Sequence, residues 1–217
     1  MDAPASTLPS TPHPTSRLGT PRLEALSDGV FSIVMTLMVF DIKPPGVPAA
    51  ELPGALAALW PHFLSYVISF ALLGCYWMGH RSQYGYIERA DHTLNWLGMW
   101  FLAPVTLVPF SAQLLARHPF DSRVIALYGA NLILIGLFLY AHWRHAGRAG
   151  LFSQGVTPLV YRFAVSRCLL APACYLVAIV LGLFVPQAAL VVFAAVPVLY
   201  IAPPLQGFWM RLAAPRA

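Results

Sequence analysis

Charge is what this sequence has least of. Asp, Glu, Lys and Arg make up 10% of its 217 residues, against about 25% in an ordinary soluble domain. So few charges could not cover the surface of a soluble fold of this length, and that class is excluded. Cysteine is scarce as well: Cys75, Cys168 and Cys174 all fall inside apolar stretches. They have neither the even count nor the spacing of a disulfide framework or a zinc site, and read as small core residues. There is no nucleophile beside a base, no phosphate-binding glycine loop and no metal motif. An enzyme is therefore not expected, and neither is a cofactor. Internal repeats are not evident, which gives no support to an inverted-repeat transporter.

Apolar sequence is what fills the chain, with hydrophobic residues at 59%. Six segments approach the roughly 20 residues needed to cross a hydrocarbon core. They run approximately Leu23–Ile42, Leu56–Gly79, Thr93–Leu115, Val124–Trp143, Phe163–Val185 and Ala188–Trp209. The breaks carry charge or turn chemistry: KPPGVP at 43–48, RSQYGYIERAD at 81–91, RHPFDSR at 117–123 and a Gly-rich stretch at 144–162. A short turn near Pro186 joins the last two segments into a helical hairpin. Several prolines fall within or at the ends of these segments, which membrane helices tolerate because neighbouring groups satisfy the freed carbonyls. The expected fold is an all-α membrane protein with six transmembrane helices over 21–210. A Pro-, Ser- and Thr-rich tail at 1–20 reads as disordered and is a poor signal peptide, and 211–217 is a short second tail.

The few charges set an orientation. With six spans both tails share one side with the 81–91 and 144–162 loops. That side holds Arg17, Arg22, Arg81, Arg89, Arg144, Arg148, Arg162, Arg167, Arg211 and Arg216. Only Lys43, Arg117 and Arg123 fall on the other, so ten of the thirteen basic residues predict cytoplasmic termini for a multi-pass protein of the cell membrane. The pI of about 9.4 then reports topology and anionic lipid headgroups, with no case for nucleic acid. Trp60, Trp77, Trp96, Trp143 and Trp209 sit near helix ends, where interfacial anchors are expected.

The first helix is unusual in opening with ionisable groups, Arg22, Glu24 and Asp28, and continuing as GVFSIVMTLMVFDI. Placing successive residues about 100° apart separates its faces. Leu26, Gly29, Ile33 and Phe40 form one stripe flanked by Thr36 and Leu37, while Ser27, Asp28, Met35 and Val39 lie elsewhere. Two readings fit these positions. Ser27 and Asp28 cap the helix and the stripe packs, or the intramembrane polar groups mark a working site.

Arg22-x-x-x-Leu26-Ser27-Asp28, followed by Gly-Val-Phe-Ser-Ile-Val-Met-Thr-Leu, resembles the first-helix signature of the transmembrane protein 175 family of potassium channels. The family pattern has Phe where this chain has Leu26, and a Thr eight residues after the Asp, here Thr36. Tyr76-Trp77-x-x-His80 and Leu94-Asn95 are similar to the family as well. The resemblance implies a homotetramer whose first helices line a central pore conducting potassium and other monovalent cations. It places a hydrophobic constriction at Ile33, the threonine position at Thr36 and a wider outer ring near Phe40. It also implies a polar network joining Arg22, Ser27 and Asp28 to His80 and Asn95.

The physics of such a pore is coherent. The chain has no Thr-Val-Gly-Tyr-Gly segment, so a carbonyl-lined filter is not available, and an apolar ring would gate by dewetting. Potassium is less tightly hydrated than sodium, which favours it there. Gly29 would leave room on the cytoplasmic side. The Thr36 hydroxyl either hydrates an ion or bonds back within its own helix. Two rival classes stay open: a proton- or cation-coupled carrier using Asp28, His80 and Glu24, and a non-conducting scaffold. His142 and His145 read as solvated residues beside Arg144 and Arg148, His62 and His118 as interfacial, and Arg167 as snorkelling or paired. Glu24 reads as a first-turn acid favoured by the helix dipole.

The charge asymmetry is checked by labelling single cysteines at Ala5, Gly46 and Pro215 in oriented vesicles. Ala5 and Pro215 should react from the cytoplasmic side and Gly46 from outside. Termini on opposite faces would overturn the six-span layout.

Overall fold

A polar group in hydrocarbon must find its partner inside the protein, and helix α1, Thr20–Leu37, does so within itself. Ser27 donates to the Leu23 carbonyl, Ser32 to that of Asp28 and Thr36 to those of Ser32 and Ile33, all at 2.8–2.9 Å. Ser27, Phe31, Val34 and Met38 fall four, three and four residues apart, so one face is buried along its length. The helix tightens into a 3-10 turn over Met38–Asp41 before the chain leaves the bundle.

The computed structural model describes residues 20–202. The expected tail at 1–20 (all but its last residue), the 211–217 tail, Trp209 and the end of the sixth segment lie outside the described residues. Seven further helices follow α1: α2 Leu52–Ala58, α3 Trp60–Tyr84, α4 His92–Thr106, α5 Val108–Arg117, α6 Ser122–Arg148, α7 Pro158–Gly182 and α8 Pro186–Ile201. Five spans among the described residues are long and apolar enough to cross a membrane: Thr20–Asp41, Trp60–Tyr84, His92–Arg117, Ser122–Arg148 and Pro158–Gly182. Helix α8 is apolar but has 16 described residues.

The boundaries differ from the sequence expectation where proline and capping chemistry intervene. The segment expected over Leu56–Gly79 is divided at Leu59 into α2 and α3, with Pro61 in the first turn of α3, where its missing N–H costs nothing. The third segment breaks likewise at Leu107, just ahead of Pro109. Helix α6 runs on to Arg148, and α7 begins at Pro158 behind a Thr157 cap that accepts from Val160 N–H at 3.3 Å. The loop expected over 144–162 therefore shrinks to 149–157.

Small residues let the helices meet. A Cβ on Gly136 would lie 2.5 Å from the Pro172 ring, and one on Gly129 or Gly182 would lie 2.7 Å from Ile179 or Ile125. Close backbone approach and interhelical hydrogen bonds replace the hydrophobic drive that lipid removes. Tyr76 donates to the Leu132 carbonyl at 2.7 Å, Ser65 to that of Ala112 at 2.8 Å and Asn131 to the Ser111 hydroxyl at 3.2 Å.

At one end of the bundle the 85–91 and 149–157 loops pair through an antiparallel bridge, Ile87 to Phe152. Ile87, Leu94, Ala146 and Leu151 form a small second core beneath it. Asp91 caps α4 by accepting from Leu94 N–H at 2.7 Å and also receives the His145 ring at 2.8 Å. Partial burial pushes this carboxyl up, but these two bonds and the histidine's charge outweigh it and hold it below the usual range. At the opposite end Asp121 caps α6, and hydrogen bonds from Arg123 hold its carboxyl down at about 2.

Candidate functional site

The two faces of α1 have different fates. Phe31, at 1% exposure, and Val34 enter the main core with Leu72, Leu73 and Phe101. Leu26, Gly29, Thr36 and Leu37 are left exposed, and Ile33 is 58% exposed in a helix of membrane-spanning length. A Cβ added at Gly29 would meet nothing within 4 Å. Phe40, 73% exposed, falls in the 3-10 turn, where residues advance by about 120°. That turn rotates Phe40 by about 60° from its place on an α-helical wheel, into line with Leu37. The Thr36 hydroxyl bonds back within its helix, as one of the two readings had it. With its proton committed to carbonyls of its own helix, the hydroxyl oxygen keeps its capacity to accept.

Asp28 points away from Ile33, about 140° around the helix, and lies toward α3. Its Oδ1 accepts from the Trp77 indole at 2.7 Å. The expected polar network joined Asp28 to His80 and Asn95; in the structure its partner is Trp77. Among the described residues, His80 and Asn95 make no hydrogen bond to Asp28, Arg22 is exposed without an ion pair, and Ser27 is satisfied by its own helix. Ser27 and Asp28 are not caps either, because α1 begins at Thr20 and places both beyond its first turn. Glu24 likewise falls outside that turn. His80 is buried with its Nε2 unpartnered among the described residues, its ring stacked on Phe101 at 4.9 Å.

A second polar cluster escaped the sequence reading. His142 is 1% exposed, not solvated, and the cluster it belongs to joins α3, α6 and α7. The Gln83 amide donates to the Leu139 carbonyl at 3.1 Å and to Cys168 Sγ at 3.3 Å, which leaves its Oε1 to accept from His142 Nδ1 at 3.0 Å. His142 Nε2 then accepts from the Tyr84 hydroxyl at 3.1 Å. One tautomer satisfies the whole chain of bonds. The signal was present in the sequence. Tyr128, Leu132, Ile135, Leu139, His142 and Ala146 alternate four and three apart, so His142 lies on the buried stripe of α6. Trp143 is also core rather than an interfacial anchor, enclosed by Tyr86, Phe152 and Tyr161. Arg167 stands over the Tyr200 ring at 4.6 Å, the paired arrangement rather than the snorkelling one. His62 sits in the first turn of α3 with Nδ1 buried and unpartnered among the described residues.

These features define a multi-pass helical membrane protein whose first helix keeps one long face unpacked. The family described as endosomal/lysosomal potassium channel TMEM175 matches residues 22–109, and the chain belongs to that family. A potassium channel of Chamaesiphon minutus is 35% identical over 136 residues, covering 60% of this chain and 67% of its own length. One from Streptomyces collinus is 37% identical over 137 residues, covering 59% of this chain and 65% of that relative, so just under two thirds of the latter is spanned. The mouse endosomal/lysosomal proton channel TMEM175 is 34% identical over 142 residues, covering 59% of this chain and 28% of its own length. The crystal structure of a lysosomal potassium-selective channel TMEM175 homologue from Chamaesiphon minutus superposes with a TM-score of 0.73 at 28% identity, covering 83% of this chain and 95% of that one.

The two buried histidines should respond oppositely to replacement by phenylalanine. His142→Phe strands the Tyr84 hydroxyl and the Gln83 carbonyl and should cost about 1–3 kcal/mol for each. His80→Phe keeps the stack on Phe101 and removes an unpaired nitrogen, so stability should hold or rise. Thermal unfolding in detergent measures both, and equal losses would contradict this division of roles.

Proposed function

We propose that four copies of this chain form a potassium-permeable channel, with their α1 helices around a central axis and Ile33 at the constriction. One observation carries the proposal most of the way: Ile33 lies on the unpacked face of α1, opposite the face that builds the core. The names of the bacterial relatives and of the matching structure support potassium as the permeant ion. Both termini are placed in the cytoplasm, and α8 with the chain beyond it is taken as the sixth span.

The chemistry follows from side chains that ring an axis. A valine- or isoleucine-like side chain has little χ1 freedom in a helix, so four Ile33 residues form a stiff apolar collar that sheds water unless it widens. An ion crossing it loses part of its hydration, which is less costly for potassium than for sodium. One turn outward, Thr36 presents hydroxyl oxygens to an ion just past the collar. Gly29 widens the cytoplasmic approach, while Leu26 and Leu37 keep the wall apolar. Asp28, turned toward Trp77, is a structural carboxylate in this scheme and not a pore ligand.

The name of the vertebrate relatives favours a second reading, in which protons also pass. A coupled carrier working through Asp28, His80 and Glu24, or a non-conducting scaffold, would behave differently again. Recording from the reconstituted protein separates all four. Potassium-selective steps support the channel, added current under a pH gradient supports proton passage, slow coupled flux indicates a carrier, and silence indicates a scaffold. In the same recordings Ile33→Asn should wet the collar, raising conductance while lowering discrimination between potassium and sodium. Thr36→Val, which keeps shape and removes the oxygen, should lower that discrimination alone. A well-folded Ile33→Asn protein with unaltered or abolished current would sink the pore assignment.

A further inference from the structure

Surface that meets lipid has no partner to offer a charge or a polar hydrogen, so exposed groups of that kind at membrane depth mark surface that something else covers. Asp28 is exposed and lies two turns into α1; Trp77 satisfies Oδ1, and among the described residues Oδ2 accepts from nothing. Trp100, on α4, is 56% exposed, and among the described residues its indole N–H has no acceptor. Its neighbour Trp96 differs in this respect, donating to His92 Nε2 at 3.0 Å.

These two unsatisfied groups stand at one depth. Phe101, next to Trp100, packs on Phe31 with ring centroids 5.9 Å apart and on His80 at 4.9 Å. Phe31 is one turn from Asp28, and His80 is one turn from Trp77, which sets Trp100 level with the Asp28–Trp77 pair. They lie on opposite flanks of α1, however. Asp28 is on the α3 flank, whereas α4 approaches from the other side, where the Leu23 side chain leaves no room for a Cβ on Gly98. Within a single subunit no bond joins them.

A ring closed by rotation brings these flanks together. Each copy presents one flank to its neighbour on one side and the other flank to the next, so contacts around the axis are heterologous. Resting on the tetrameric reading above, the geometry points to an intersubunit clasp: Trp100 of one copy donates its indole N–H to the Asp28 Oδ2 of the adjacent copy. The carboxylate then receives one indole on each oxygen, Trp77 from its own subunit and Trp100 from the neighbour. Both rings shield the charge from lipid. The donor is neutral and the acceptor ionised, which makes the bond stronger than a neutral pair, and the low dielectric strengthens it again. The clasp also ties the rotation of each α1, and so the aim of Ile33, to the next subunit.

Trp100→Phe keeps the ring and removes only the N–H. In detergent, with oligomer mass followed by light scattering on dilution, it should raise the apparent dissociation constant about tenfold or more, while thermal unfolding of the dissociated subunit stays unchanged. Trp96→Phe, whose indole is satisfied at home, should leave assembly as in the unmodified protein. Asp28→Asn should weaken assembly too, and combining it with Trp100→Phe should add less than the two separate effects predict. A Trp100→Phe tetramer as tight as the unmodified one, or strictly additive losses, overturns the clasp while leaving the tetramer intact. An unmodified protein that is monomeric at every concentration overturns the tetrameric reading, and the clasp with it.

Discussion

Hydrocarbon leaves a polar group no water to turn to, and the whole arrangement of this chain follows from where each one finds its partner. Ser27, Ser32 and Thr36 resolve the problem inside α1 by donating to carbonyls three or four residues back. Tyr76, Ser65, Gln83 and Asn131 resolve it between helices and thereby fix which faces meet. Glycines at 129, 136 and 182 let backbones come close enough for such bonds to form. What stays unpartnered among the described residues includes His62 Nδ1, His80 Nε2, the Trp100 indole and the Oδ2 of Asp28, at the edge of the outward face of α1.

That distribution gives α1 a dual character. Its inner face is a regular 4-3-4 stripe locked into the core by Phe31, Val34 and Met38. Its outer face carries Leu26, Gly29, Ile33, Thr36 and Leu37, the face that lines the axis in the proposed channel. In the proposed channel the same division makes Asp28 a brace rather than a working group. Held by Trp77, it fixes the rotation of the helix that carries Ile33. In the proposed channel, mechanism and stability are coupled through this one carboxylate.

Much of this was legible in the sequence because membrane thickness and helical period constrain it so tightly. The exposed stripe of Leu26, Gly29, Ile33, Thr36 and Leu37 follows from a 3.6-residue repeat, and its separation from Asp28 needed nothing further. Phe40 was misplaced by that repeat because a 3-10 turn replaces the last turn of the helix. Partner choice was harder to foresee. Trp77 and His80 lie one turn apart on α3, and only three-dimensional packing determines that the indole, and not the imidazole, reaches Asp28. His142 and Trp143 were misjudged because position near a helix end suggested an interface, whereas the loop bridge from Ile87 to Phe152 and the core beneath it extend the protein past that point. The loop pairing itself left no periodic trace to read.

The central claim is that copies of α1 converge on an axis with Ile33 facing it. Distances between nitroxide labels at Ile33→Cys, with Cys75, Cys168 and Cys174 replaced, test this without reference to current. Four helices of about 10–12 Å diameter around an axis should hold these labels within roughly 10–20 Å of one another, with a second, diagonal distance longer than the first. Labels at Leu176, exposed on α7 and away from the α1 stripe in sequence, should be much farther apart. Ile33 labels as widely separated as those at Leu176 would show that the exposed stripe faces lipid, and would contradict the account.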